Sequence, residues 1–271
     1  MLIDTHCHIN MMVKKEFDVP LSTSFLPDAQ KIIDDAAANQ VDIIINVGTS
    51  LQESENCIAI ARHFPKVYAT VGLHPNDCTS NWRSDFEKLA TYAQAARDYK
   101  IVGIGECGID FHYPDYDKQR QYDAFKAQIE LALEHNLALV VHSRDAADET
   151  LHILDEYKNQ LSATMHCFSY DRSIAKDVVA MGFFLGIDAP ITYPKNNELR
   201  AVVHEIGLNH IVLETDAPFL PPQPLRGSQN HPKHIATIAG YIAQMLNVPL
   251  ELVAKKTTHN ASLLFNLESR Q

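Results

Sequence analysis

Leu137-Ala138-Leu139-Val140-Val141-His142 is the stretch on which the fold turns: five apolar residues with no polar alternation, ending in a histidine. A strand with one wet face alternates polar and apolar residues, whereas a near-continuous apolar run suits a strand buried on both faces, as in a parallel sheet covered by helices. Val41-Asp42-Ile43-Ile44-Ile45 repeats the pattern. Working outward, similar short runs predict strands over residues 2–8, 41–47, 67–72, 101–105, 137–142, 164–168, 183–187 and 211–214. Longer amphipathic stretches lie between them. Residues 118–135, for example, place Tyr122, Phe125, Ile129 and Leu133 at steps of three and four, the spacing of one helical face. Alternation of strand and helix through eight cycles predicts an α/β fold. The expectation is a single (β/α)8 TIM-type barrel domain over residues 1–271, with residues 250–266 as a closing C-terminal helix. The proline-rich residues 218–232 are expected to form a loop over the barrel mouth.

Composition agrees with a soluble globular chain, at 46% hydrophobic and 21% charged residues. The N-terminus has no basic segment leading into an apolar one, and no stretch approaches the roughly 18 apolar residues of a membrane span. The chain is therefore expected to be cytoplasmic, without membrane contact, monomeric and without an obligate protein partner. Five cysteines with no Cys-x-x-Cys pair are read as reduced thiols. With 34 acidic and 23 basic residues, the surface should repel a long polyanion. A phosphate substrate stays compatible with this charge if bound cations reverse the field inside a pocket.

The chemistry follows from where histidines and carboxylates fall. His6 and His8 end the first predicted strand two residues apart, so both project to one face, about 6.6 to 6.8 Å apart along the backbone. Glu106 follows the fourth strand, His142 ends the fifth, His166 lies near the end of the sixth, and Asp216 follows the eighth. All six are at C-terminal strand ends, the face on which TIM barrels build their active sites. Four imidazoles and two carboxylates, one of them shared, suit two divalent cations per chain, Zn, Mn or Mg. Asp216 and Glu106 are the expected catalytic carboxylates. His74, Arg144 and Lys195 follow other strands and are candidate substrate contacts, Asp145 a candidate to orient a ligand, and Glu214 a supporting group behind the centre. Cys107 and Cys167, each beside a candidate ligand, are expected to point away. Six histidines, at 63, 135, 152, 204, 210 and 259, are assigned no chemistry.

At these residues the chain resembles the TatD family of metal-dependent deoxyribonucleases, in the amidohydrolase-like superfamily. The carriers are residues 3–8 (Ile-Asp-Thr-His-Cys-His), 71–75 (Val-Gly-Leu-His-Pro), 103–110 (Gly-Ile-Gly-Glu-Cys-Gly-Ile-Asp), 141–146 (Val-His-Ser-Arg-Asp-Ala), 166–169 (His-Cys-Phe-Ser) and 213–218 (Leu-Glu-Thr-Asp-Ala-Pro). The resemblance implies that His6, His8, Glu106 and Asp216 hold one metal, and that Glu106, His142 and His166 hold the other. It also implies 3′ to 5′ exonuclease-like cleavage of DNA or a small phosphodiester, by a water activated between the cations. Two departures stand out. Tyr170 takes a place where the family usually has glycine, and residues 225–232 lack the Lys-Arg-Asn run common there. The rival enzyme reading is a metal-dependent hydrolase of carboxylic esters, lactones or amides. A non-catalytic barrel scaffold would be marked by a lost ligand, and all six are present.

Overall fold

The computed structural model describes residues 1–14, 16–22 and 24–270. Eight parallel strands form one sheet in sequence order: β1 (Leu2–Cys7), β2 (Val41–Val47), β3 (Val67–Val71), β4 (Ile101–Asp110), β5 (Ala138–Arg144), β6 (Ala163–Met165), β7 (Phe184–Ile187) and β8 (Ile211–Leu213). Among the described residues the helices are α1 (Ile9–Met12), α2 (Phe25–Ala38), α3 (Leu51–His63), α4 (Trp82–Gln94), α5 (Lys118–His135), α6 (Ala147–Asp155), α7 (Arg172–Ala180), α8 (Asn197–Ile206), α9 (Ile235–Leu246) and α10 (Leu250–Leu264). Several begin where a side-chain oxygen accepts from an otherwise unsatisfied first-turn amide. Asp171 accepts from the backbone N–H groups of Ser173 and Ile174, and Ser50 from that of Glu53.

The sheet curls into a nearly closed barrel whose seam lies between β1 and β8. One ladder bridge, Cys7 to Ala217, crosses it, with His8 N–H donating to Ala217 O at 2.7 Å and Asp216 N–H to His6 O at 2.9 Å. Buried side chains add to it: Asp4 accepts from Thr215 Oγ1 at 2.6 Å and Thr215 N–H at 3.0 Å, and Thr5 Oγ1 donates to Leu213 O at 3.0 Å. Most of the core lies between the sheet and the surrounding helices. A second cluster gathers Ile3, Ile45, Val102, Ala138, Val140 and Val212 with Leu264, Phe265 and Leu267, so the predicted C-terminal helix closes the barrel at the end away from the strand C-termini. On β5 the residues of this inner cluster, Ala138 and Val140, share strand parity with His142. The face that fills the barrel therefore ends in a candidate ligand.

All eight predicted strands form, the second with the expected ends and the others with shifted ones. The fourth was expected to stop at Gly105 and runs on to Asp110, because residues 107–110 pair with Val141–Arg144 of β5. Glycines that weaken a strand signal here permit contact between backbones. A Cβ on Gly105 would lie 2.5 Å from Val140 O, and one on Gly108 1.9 Å from His142 O. The sixth strand is shorter than expected, ending at Met165, and leaves His166 just beyond it. The proline-rich segment is irregular apart from 3-10 turns at Gln223–Leu225 and Pro232–His234. Among the described residues no single helix is long and apolar enough to cross a membrane.

Candidate metal centre

All six expected residues converge at the C-terminal end of the barrel. Five of them line a cavity of about 470 Å³, and His6 is wholly buried beneath it. His6 Nε2 lies 3.2 Å from His8 Nε2, 3.3 Å from Glu106 Oε2 and 3.7 Å from Asp216 Oδ1, while His8 Nε2 is 3.3 Å from that same oxygen. Glu106 Oε1 faces His142 Nδ1 at 2.8 Å and His166 Nε2 at 3.6 Å. Two triads, His6 with His8 and Asp216, and His6 with Glu106 and His166, bring donor atoms within 4.8 Å of one another.

The outer ring nitrogens decide which atoms face inward. His8 Nδ1 donates to the Val47 carbonyl at 2.8 Å, and His166 Nδ1 to Glu214 Oε1 at 2.9 Å. In each neutral ring the lone pair is then on Nε2, aimed at another acceptor, a carboxylate oxygen. His142 is turned the other way, with Nε2 on Asp110 Oδ2 at 3.2 Å and Nδ1 on Glu106. Acceptors pointed at acceptors require protons or cations between them. Without cations the carboxylates draw protons onto the rings. Burial opposes charge on His166, but Glu214 and Glu106 overcome it and lift the imidazole to about 10. His8 and His142 are raised against the same penalty of burial by Asp216 and by Asp110 with Glu106. Burial would raise Glu106 and Asp216, yet the histidines hold both below the usual carboxylate range. Protons on these rings are thus in positions that cations can take, and the donor set fits such ions.

Backbone geometry explains two placements that strand alternation obscures. β8 ends at Leu213, and Asp216 adopts a left-handed φ of 53°, a conformation that aspartate tolerates better than most residues. Glu214 and Asp216 consequently both face the cluster, Glu214 from behind His166 and Asp216 from the cavity wall. Cys167, expected to point away, also has a left-handed φ of 47°; the residue lines the cavity, and its thiol donates to buried Asp188 Oδ2 at 3.2 Å. Cys107 is fully buried, as expected.

Asp110 and Asp188 were not singled out from the sequence. Asp110 follows Glu106 at even spacing along the extended β4, and its signal was hidden by the expected stop at Gly105. It accepts from Asn76 Nδ2 at 2.8 Å while facing His142. Asp188 is buried at the end of β7, where burial, with Glu214 and Asp216 nearby, raises its carboxyl to about 8.

His74 lines the cavity with Nε2 3.5 Å from Glu106 Oε1, and its Nδ1 accepts from Asn76 N–H at 3.2 Å, so the proton is on Nε2. Burial and the adjacent His142 lower this ring to about 3. It is a neutral donor. Arg144 lines the cavity with its guanidinium 5.9 Å from the Tyr113 ring. Lys195 is exposed before α8 and is not part of the cavity wall. Nearby, Arg200 binds the carbonyls of Ile191, Tyr193 and Pro194 and holds that loop towards α8. Asp145 is exposed and pairs with His112 Nδ1 at 2.9 Å. Tyr170, at the position where glycine is usual, bonds Ser143 Oγ at 2.9 Å and accepts from Ala146 N–H at 3.3 Å, bracing the loop after β5.

A family model described as TatD related DNase matches residues 3–266. The chain belongs to the TatD family. Among TatD-family relatives, it is 32% identical over 268 residues to the metal-dependent hydrolase YabD of Bacillus subtilis, covering 98% of this chain and 100% of that protein. It is also 32% identical over 252 residues to the 3′-5′ ssDNA/RNA exonuclease TatD of Escherichia fergusonii, covering 91% and 96%. The crystal structure of YjjV, a TatD homolog from Escherichia coli, superposes with a TM-score of 0.88 at 28% identity, over 98% of each chain.

Proposed function

We propose that this chain is a divalent-metal-dependent hydrolase of phosphodiesters that removes nucleotides from the ends of nucleic-acid strands. The observation that carries the reading is the set of ring nitrogens and carboxylate oxygens facing one another at the barrel mouth, with the outer nitrogens of three rings already bonded. His6, His8 and Asp216 would hold one cation, His142 and His166 a second, and Glu106 would serve both. When bound, such ions acidify water and stabilise negative charge developing on a phosphoryl group. Asp216, ionised and open to the cavity, takes the proton of the attacking water. His74 donates Nε2–H to a phosphate oxygen, and Arg144 neutralises another. Val47 O, Asp110 and Glu214 fix the rings of His8, His142 and His166 so that none turns during turnover.

The test is elemental analysis of the protein purified without added metal. Assays of the loaded protein on bis-p-nitrophenyl phosphate, a short single-stranded oligonucleotide and a panel of lactones then follow. Cleavage of the two phosphodiesters is the expected result. Activity confined to lactones would move the assignment to carbonyl chemistry, which the same donor set supports.

A further inference from the structure

Two phenylalanines stand on the rim of the cavity, each 50% exposed: Phe17, in the loop between α1 and α2, and Phe219, in the loop after β8. A single exposed apolar side chain is ordinary. Here both rings border the same cavity, and each is set on a backbone that buried polar groups hold in place. Glu53, fully buried, accepts from Asp18 N–H at 2.6 Å and Asn10 Nδ2 at 2.8 Å and forms a tight ion pair with Lys14. Lys14 in turn donates to Val19 O at 3.0 Å. These contacts bracket Phe17. On the other loop, Phe219 N–H donates to Asp216 O at 2.8 Å, and its ring is edge-on to His8 at 6.1 Å. Buried Asn230 binds Thr215 O at 2.7 Å and Leu220 O at 3.2 Å through Nδ2, and its N–H binds Pro218 O at 3.0 Å.

Charge narrows what such a rim can receive. Among the described residues that line the cavity, Arg144 is the one lysine or arginine, and the chain carries a net charge of −11. A site gripping a long backbone needs a basic track, whereas aromatic faces bind unpaired bases with little regard to sequence. We infer that Phe17 and Phe219 form a stacking platform for the unpaired base of a terminal nucleotide. This rests on the phosphodiester reading above. A duplex end keeps its base paired and stacked, and offers no free face to the platform.

The experiment compares two single-stranded trinucleotides, one ending in a 3′-thymidine and the other in a 3′-tetrahydrofuran residue that lacks a base. With metal-loaded wild-type protein, KM for the baseless oligomer should be about 10-fold higher or more. In the doubly substituted F17A/F219A protein the gap should close through a higher KM for the intact oligomer, while F17W/F219W keeps it. A trinucleotide with 3′-terminal 2-aminopurine gives a readout independent of turnover: its fluorescence should be quenched by wild type and not by F17A/F219A. Cleavage with equal KM for both oligomers, or quenching that persists in F17A/F219A, would overturn the platform and leave the phosphodiester reading standing. Failure to cleave any phosphodiester, bis-p-nitrophenyl phosphate included, would remove both.

Discussion

Glu214 stands directly behind His166, its Oε1 accepting from His166 Nδ1 at 2.9 Å and from Cys167 N–H at 2.6 Å. One carboxylate oxygen thereby sets both the tautomer of a candidate ligand and the backbone turn that follows it. E214Q should fold and bind metal about 10- to 100-fold more weakly, the usual cost of losing such a supporting partner. Competition with a chelator measures this, and an unchanged Kd would remove Glu214 from the supporting role.

Asp216 is assigned both to ligation and to proton acceptance. D216N keeps the shape of the side chain and loses the base, so kcat should fall by about 10²- to 10⁴-fold. Metal content should fall only in part, because His6 and His8 remain beside it. Near-wild-type turnover in a metal-replete sample would place the base elsewhere.

Arg144 and Lys195 should behave differently. Arg144 lines the cavity, and loss of one charged hydrogen bond to phosphate predicts a rise in KM of about 10-fold or more for R144A. Lys195 is exposed and outside the cavity wall, and K195A should leave both kinetic constants near wild type. Equal losses in both variants would mean that substrate reaches much farther across the surface than the cavity.

The raised His8, His142 and His166 of the metal-free chain predict that cation uptake at pH 7 releases protons and that occupancy falls as the solution is acidified. The sign for stability without metal is opposite. A raised His166 contributes fully below the ordinary imidazole value of about 6.5, and that contribution is lost as pH climbs through about 10. Melting in chelator across this range, alongside proton release in weakly buffered solution, checks both. Metal content unchanged at pH 5 would count against ligation by histidine.

Glu53 provides a second pH limb. Burial would raise its carboxyl, but Lys14, Asn10, Asn56 and the Asp18 amide together hold it below the usual value. Its stabilising contribution is complete above the unfolded-state value of about 4.3 and is lost as pH falls through the lower folded value. E53A, which strands Lys14, should cost about 3 to 5 kcal/mol at pH 7 and flatten the acid side of the stability profile. Urea unfolding at pH 7 and below pH 4 tests this, with parallel profiles for variant and wild type as the contrary result.

Much of this architecture can be read from local sequence pattern because strands buried on both faces leave unbroken apolar runs, as at 137–141. That six candidate ligands gather at one end of the barrel was legible for a related reason: each lies at or just past such a run. What escaped depends on contacts between strands or on departures from regular backbone. Asp110 was hidden because Gly105 and Gly108 resemble strand breakers until the close backbones of β5 are known. Cys167 was misplaced because strict alternation fails at a left-handed residue. Nothing local to Phe17 distinguishes it from a loop residue, since its neighbour at the mouth arrives some 200 positions later in the chain.

The seam of the barrel has a further consequence. Asp4 and Thr215 tie the first strand to the last, and the next candidate ligands along each segment are His6 and Asp216. An ion shared by those two side chains would act as a clasp on the ring, joining parts of the polypeptide that are far apart in synthesis. Loading the centre and locking the barrel shut would then be one event, and a chain stripped of its ions should breathe first along that join.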